Sequence, residues 1–165
     1  MSAIGLASQD AVGHRIRVRN TAEIVRTTLR LLPSWNVISV PFPTPVSLLP
    51  TCDLVLSWDG SLWQSVTTLL PGTGYLVRNT GGTTTVPLTG IPSSSPQTQP
   101  ATGTWQIIGN PYTTPASFAC TSTVPYLLSW DGSLWQPVSP TNLPPGLGFL
   151  MQASSPGTIT LTRLP

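Results

Sequence analysis

Catalysis needs titratable or nucleophilic side chains brought together, and this chain supplies few: seven Lys+Arg, all of them arginine, five Asp+Glu and one His in 165 residues. Asp59 and Asp131 have the most regular surroundings, each inside the same nine residues, Leu-Ser-Trp-Asp-Gly-Ser-Leu-Trp-Gln. Asp-Gly between alternating segments signals a two-residue type I′ hairpin loop whose central residues need positive φ, so both carboxylates are expected to serve turns rather than proton transfer. His14 has no second His or Cys cluster beside it, as a metal site would require. No Gly-x-Ser-x-Gly elbow surrounds a serine, and no glycine pair has phosphate-loop spacing. The sequence predicts no catalytic residue, no metal and no cofactor, and hence a protein that is not an enzyme.

Two features could carry binding instead. The first is charge: residues 1–30 hold five of the seven arginines, Arg15, Arg17, Arg19, Arg26 and Arg30, against Asp10 and Glu23, while residues 31–165 are slightly acidic. An extended segment would place Arg15, Arg17 and Arg19 on one face and Ile16 and Val18 on the other. These arginines are read as an assembly or docking surface for an acidic protein face, with an ordinary solvated face as the bland alternative. Nucleic acid is disfavoured because no aromatics interleave them. The second feature is tryptophan. Trp58, Trp63, Trp130 and Trp135 could offer stacking platforms to a sugar, but pairing across the Asp-Gly loops sets Leu54, Leu56, Trp58 and Trp63 on one face, so these four are expected to be core aromatics first and sugar platforms second.

The elements that position these residues repeat. Trp35-Asn36-Val37-Ile38-Ser39-Val40-Pro41 answers to Trp105-Gln106-Ile107-Ile108-Gly109-Asn110-Pro111, the nine-residue hairpin motif recurs unchanged, and Gly72-Thr73-Gly74-Tyr75-Leu76-Val77 returns as Gly146-Leu147-Gly148-Phe149-Leu150-Met151. The offset grows from 70 to 72 to 74 residues, so the length changes fall between motifs, where loops absorb them. A third, partial copy aligns 13–33 on 72–92, both carrying Val-Arg-Asn-Thr and both ending in Pro. This predicts a basic N-terminal arm or hairpin (half-repeat) over 1–33, a β repeat over 34–92, a Pro/Ser/Thr linker over 93–103 and a second β repeat over 104–165. A short helix at 21–32 is the alternative for the arm, and helical turns at 45–49 or 115–119 are an alternative within the units. Within each unit a second hairpin is expected, 75–78 turning into 83–88. The fold class is all-β: two tandem small β-barrel or sandwich repeats plus the N-terminal hairpin arm.

Only 7% of residues are charged, against roughly 25% in an average soluble protein, while 19 Pro and 14 Gly imply short strands and many turns. Such a surface is prone to association, so partner subunits are expected to cover it. No apolar run of roughly 18 residues spans a membrane, and the first ten residues lack the basic and apolar regions of a signal peptide. Cys52 and Cys120 are read as two small buried side chains, with an inter-unit disulfide as the alternative.

The order Trp-Asn-x-Ile-Ser-x-Pro, Trp-Asp-Gly-x-x-Trp, Gly-x-Gly-Tyr-x-Val resembles the tandem β modules of bacterial and archaeal cell-surface and other large structural proteins, over 34–92 and 104–165. That resemblance implies an extracytoplasmic scaffold or adhesion role and brings no catalytic residues. Together these readings lead to a structural subunit of a large assembly, a virion (phage capsid) accessory or decoration protein docked through its arm. The alternatives are a subunit of an extracellular filament or surface layer, and a carbohydrate-binding module. The expected partners are further copies of itself or a larger protein shell, with a glycan as the other candidate, at a virion surface or in an extracellular surface assembly.

Overall fold

The computed structural model describes residues 23–165. These residues are all-β, with no α-helix among them and a single 3-10 turn at Val46–Leu48. The first half contains β1 (Val25–Leu31), β2 (Ser34–Ile38), β3 (Thr44–Pro45), β4 (Cys52–Trp58), β5 (Trp63–Ser65), β6 (Thr68–Leu69), β7 (Tyr75–Asn79) and β8 (Thr84–Gly90). The second contains β9 (Gln97–Thr102), β10 (Trp105–Gly109), β11 (Ala116–Cys120), β12 (Tyr126–Trp130), β13 (Trp135–Pro137), β14 (Gly148–Gln152) and β15 (Pro156–Arg163). Five small sheets result, none closed into a barrel: β2-β7-β4-β5, β1-β8 and β3-β6, then β10-β14-β12-β13 and β11-β15-β9.

Period-two burial explains why these segments are strands. Along β8, Val86 and Leu88 are buried while Thr85, Pro87 and Thr89 are exposed, and β1 buries Leu29 and Leu31 between exposed Thr28 and Arg30. That alternation overrides the helical alternative for the described part of 21–32, because a 3.6-residue period would not set Leu29 and Leu31 on one side. β1 and β8 pair antiparallel, Leu29 opposite Val86, and lay their apolar face over Val55, Tyr75 and Val77 of the four-stranded sheet to form the first core. The second core repeats the arrangement, with Ile159, Leu161 and Ala101 over Phe149, Met151 and Ile108. Each buried aliphatic side chain contributes about 1.5–3 kcal/mol.

Several expectations are corrected here. Residues 97–102, read as linker, form β9 and pair with β15, as β1 pairs with β8. The Tyr112 hydroxyl, buried and with its pKa pushed up by that burial, donates its one hydrogen to the Leu161 carbonyl (2.7 Å), with that of Ser95 2.9 Å away, and accepts from the Gln97 amide (3.1 Å), pinning the segment in place. β7 and β8 do not form a hairpin with one another but belong to different sheets. Asn79 turns that corner: its amide nitrogen donates to Leu32 and Gly82 carbonyls and its oxygen accepts from Gly81. Both Asp-Gly loops are four residues long rather than two, with Trp58 opposite Trp63 and Trp130 opposite Trp135. Only the glycines take positive φ there, because Asp59 Oδ1 accepts from the Ser61 and Leu62 amides at 2.8 Å and Asp131 Oδ1 does the same with Ser133 and Leu134. The helical alternative at 45–49 is met by the 3-10 turn, whereas most of 115–119 lies in β11. Cys52 and Cys120 are unbonded and half-buried, one against each core, and burial pushes the Cys52 thiol up.

The halves meet through reciprocal backbone contacts. Ser39 N donates to Gly146 O (3.1 Å) and Gly109 N to Gly72 O (2.9 Å), and isolated bridges join Ile38 to Leu147 and Ile108 to Thr73. Glycine is required for this approach: a Cβ on Gly148 would lie 2.8 Å from the Ile38 carbonyl oxygen, and one on Gly74 2.5 Å from that of Ile108.

Candidate binding surfaces: two aromatic rows and an open cleft

Because β4 buries Val55 in the first core, strand alternation turns Leu54, Leu56 and Trp58 to the opposite face, and Trp63 follows as the cross-strand partner of Trp58. The four residues share a face as expected, but it is not the face of their own core. Trp63 and Trp135 are 41% and 36% exposed, which corrects their reading as core aromatics, while Trp58 and Trp130 are half-buried. The reason is reciprocal: the Trp58 indole donates to the Trp105 carbonyl (3.1 Å) and the Trp130 indole to the Trp35 carbonyl (3.0 Å), so each hairpin is covered partly by the other half.

Two aromatic rows follow from these contacts. In one, Trp63 tilts against Trp58 at 5.2 Å, Trp58 bonds to Trp105, and Trp105 stacks on Tyr126 at 5.8 Å. In the other, Trp135 meets Trp130 edge-on at 5.4 Å and Trp130 bonds to Trp35, over which the Arg78 guanidinium lies at 5.7 Å. Arg78 is held by Asp53 through Nε (2.9 Å) and Nη2 (2.6 Å), which raises the arginine pKa and lowers that of the carboxyl. The first row thus ends in exposed aromatic rings and the second under an ion pair. Trp105 and Tyr126 were not singled out from sequence, although Tyr126 standing where the first half has Leu54, and Gln152 where it has Arg78, were visible signals.

Asp59 and Asp131 lie in the loops that join Trp58 to Trp63 and Trp130 to Trp135. Amide donation by Leu62 and Ser61, with Gln64 added, holds the Asp59 carboxyl below the usual range, and Leu134, Ser133 and Gln136 do the same for Asp131. A carboxylate engaged in this way is a turn acceptor. Among the described residues no three His, Cys, Asp or Glu side chains gather into a possible metal site.

Arg26 and Arg30 are exposed along one face of β1, two strand repeats apart. Arg15, Arg17 and Arg19, like His14, lie outside the described residues. Among the described residues a cleft of about 610 Å³ opens beside β12, lined by Phe118, Cys120, Val124, Tyr126, Leu128 and Val138 among others, none of them charged. No family model, curated protein or solved structure matches this chain.

Proposed function

We propose that the chain is a non-catalytic structural subunit of a large assembly, an accessory or decoration protein of a virion, built from two tandem copies of one β unit. The duplication is supported by matching strand orders, β2-β7-β4-β5 and β10-β14-β12-β13, and by the parallel placement of β1 and β9 before them. The observation that carries the assembly reading is the surface. Among the described residues ten large apolar side chains are exposed, while Asp53 and Arg78 neutralise one another and Asp59 and Asp131 serve turns. A chain with only 7% charged residues has little charge to keep such a surface apart from its neighbours, which favours association. The exposed arginines of β1 would border the joint with an acidic partner face. Mass spectrometry of purified particles, compared with secreted filaments and the free protein pool, tests this reading. Stoichiometric recovery with particles supports it, recovery with filaments supports a filament or surface-layer subunit, and recovery as a free monomer alone overturns both.

The row ending in Trp105 and Tyr126 favours a second reading, a carbohydrate-binding module. Its rings stand 38% and 52% exposed, and the row contains no charged side chain. Titration with neutral soluble polysaccharides tests it. Quenching of tryptophan fluorescence that disappears in Trp105→Ala and Tyr126→Ala supports the module, and unchanged fluorescence overturns it.

A further inference from the structure

The two halves differ at one corner. In each, an amide bends back onto the central strand: Val66 N donates to Val55 O (3.3 Å) and Val138 N to Leu127 O (3.1 Å). In the first half this corner is closed by the chain itself. The 3-10 turn ties Val46 N to Thr67 O (3.0 Å) and Leu49 N to Val46 O (2.8 Å), and it delivers Leu49, 2% exposed, into the core beside Val46, Cys52 and Val66. In the second half the corresponding residues instead run as β11 along β15 and turn back only after Cys120. The corner is left open as the 610 Å³ cleft, within the roughly 300–1,000 Å³ range of ligand sites. Phe118, Cys120, Val124, Leu127 and Val138 pack against the second core yet remain half-buried around it.

The geometry points to this cleft as the docking site for an apolar peptide segment of an assembly partner, inserting an aliphatic anchor where the first half inserts its own Leu49; this rests on the assembly reading above. Two observations select a peptide. Unit one supplies the template, a short Pro-Val-Ser-Leu-Leu stretch seated in the same corner. The second is the edge of β11, where Thr121 N donates to Thr158 O and Leu164 N to Pro115 O, so alternate residues 115, 117, 119 and 121 face β15 and 116, 118 and 120 face outward. Ala116 and Phe118 spend outward groups on Leu143 and Pro140, whereas the outward amide and carbonyl of Cys120, on the cleft wall, have no partner among the described residues. An extended peptide could take up both while its side chains enter the cleft, as in strand addition. A charged occupant would be left unpaired, because the lining carries no charge.

Cys120 reports on occupancy. In full-length protein with Cys52→Ala, a synthetic peptide of residues 44–50, Thr-Pro-Val-Ser-Leu-Leu-Pro, is added and the rate of Cys120 alkylation is followed. Slowing of about tenfold or more at saturation, absent with a peptide in which both leucines are serine, is the expected result. A folded Ser122→Trp variant, crowding the rim, should abolish the protection; the two peptides on the unfilled cleft decide the matter if that variant does not fold. Unchanged alkylation with the leucine peptide, equal protection by both peptides, or protection by an apolar fluorophore but not by the leucine peptide overturns the proposal. A bound peptide without particle recovery of the protein would leave the docking site standing and remove the virion reading.

Discussion

Ser39 and Gly109 occupy matching positions in the two halves and face one another across their junction: a Cβ on Gly109 would lie 2.5 Å from the Ser39 Cβ and 2.5 Å from the Thr73 carbonyl oxygen. The Ser39 hydroxyl is fully buried and donates towards the Leu147 carbonyl (2.8 Å), with that of Asn110 3.1 Å away. The junction therefore needs one serine and one glycine. Gly109→Ser is expected to destabilise the protein by about 3 kcal/mol or more through overpacking, and Ser39→Gly by about 1–2 kcal/mol through loss of the hydrogen bond and added chain entropy. The exchange Ser39→Gly with Gly109→Ser should recover only part of the loss, because Thr73 still opposes the new side chain. Urea unfolding of the four proteins measures all three values.

Tryptophans that look equivalent in sequence should separate on truncation. Trp58 and Trp130 are half-buried and donate across the junction, so Trp58→Ala is expected to cost about 3 kcal/mol and Trp58→Phe about 1 kcal/mol for the lost donor. Trp63 is 41% exposed, and Trp63→Ala should cost only about 1 kcal/mol. Equal costs for Trp58 and Trp63 in thermal unfolding would contradict the junction geometry.

The turn carboxylates should make stability fall in acid. Asp59 and Asp131 are held below their ordinary value when folded, so the stability they contribute is present above the ordinary carboxylate pKa of about 3.9 and is lost as the pH drops through the depressed folded values. Unfolding midpoints measured from pH 7 to pH 2 should decline below about pH 4, and the decline should be shallower in Asp59→Asn with Asp131→Asn, since asparagine keeps the acceptor oxygen without titrating.

The corner between β1 and β2 offers a test of backbone conformation. Ser34 has φ 69°, the region that favours glycine, and Gly103 with φ 75° serves the corresponding corner. Asn36 holds it, accepting from Leu32 N (2.8 Å) and donating to Leu32 O (2.9 Å), and Gln106 does likewise with Thr102 N and Pro100 O. Ser34→Gly should be neutral or stabilising by up to about 1 kcal/mol, whereas Asn36→Ala, which strands the Leu32 amide while Asn79 still serves the Leu32 carbonyl, should cost about 1–2 kcal/mol. Differential scanning calorimetry distinguishes the two directions.

Much of this architecture was legible from the repeated motifs, because aromatic and β-branched blocks separated by turn residues define strands wherever they occur. Partnership was less legible. The residues of β9, Gln-Thr-Gln-Pro-Ala-Thr, have a linker's composition and become a strand only because β15 offers an unpaired edge and Tyr112 fixes the entry. The Asp-Gly loops show a second limit: each is two residues longer than its Asp-Gly pair signals, yet the faces are the same, since a shift of two preserves strand parity. What parity could not reveal was which face met its own core. Trp63 and Val55 compete for that role on hydrophobicity alone, and the closing pair β1-β8 decides it from more than 20 residues away. The cleft was invisible for the same reason, arising from a difference in chain path between 46–52 and 116–125 rather than from any one residue type.

The pairing of β9 with β15 also sets an order of events during synthesis. The first half is complete in sequence once β8 has emerged, since β1 is already waiting for it. The second cannot close until β15 is free, because Ile159 and Leu161 supply the lid of its core and Leu161 the carbonyl that Tyr112 seeks. For some sixty residues of translation β9 therefore travels as an unmatched edge. The nascent chain is most exposed to mispairing in that interval, and a premature stop before residue 156 would release a folded first half joined to an open, association-prone second one.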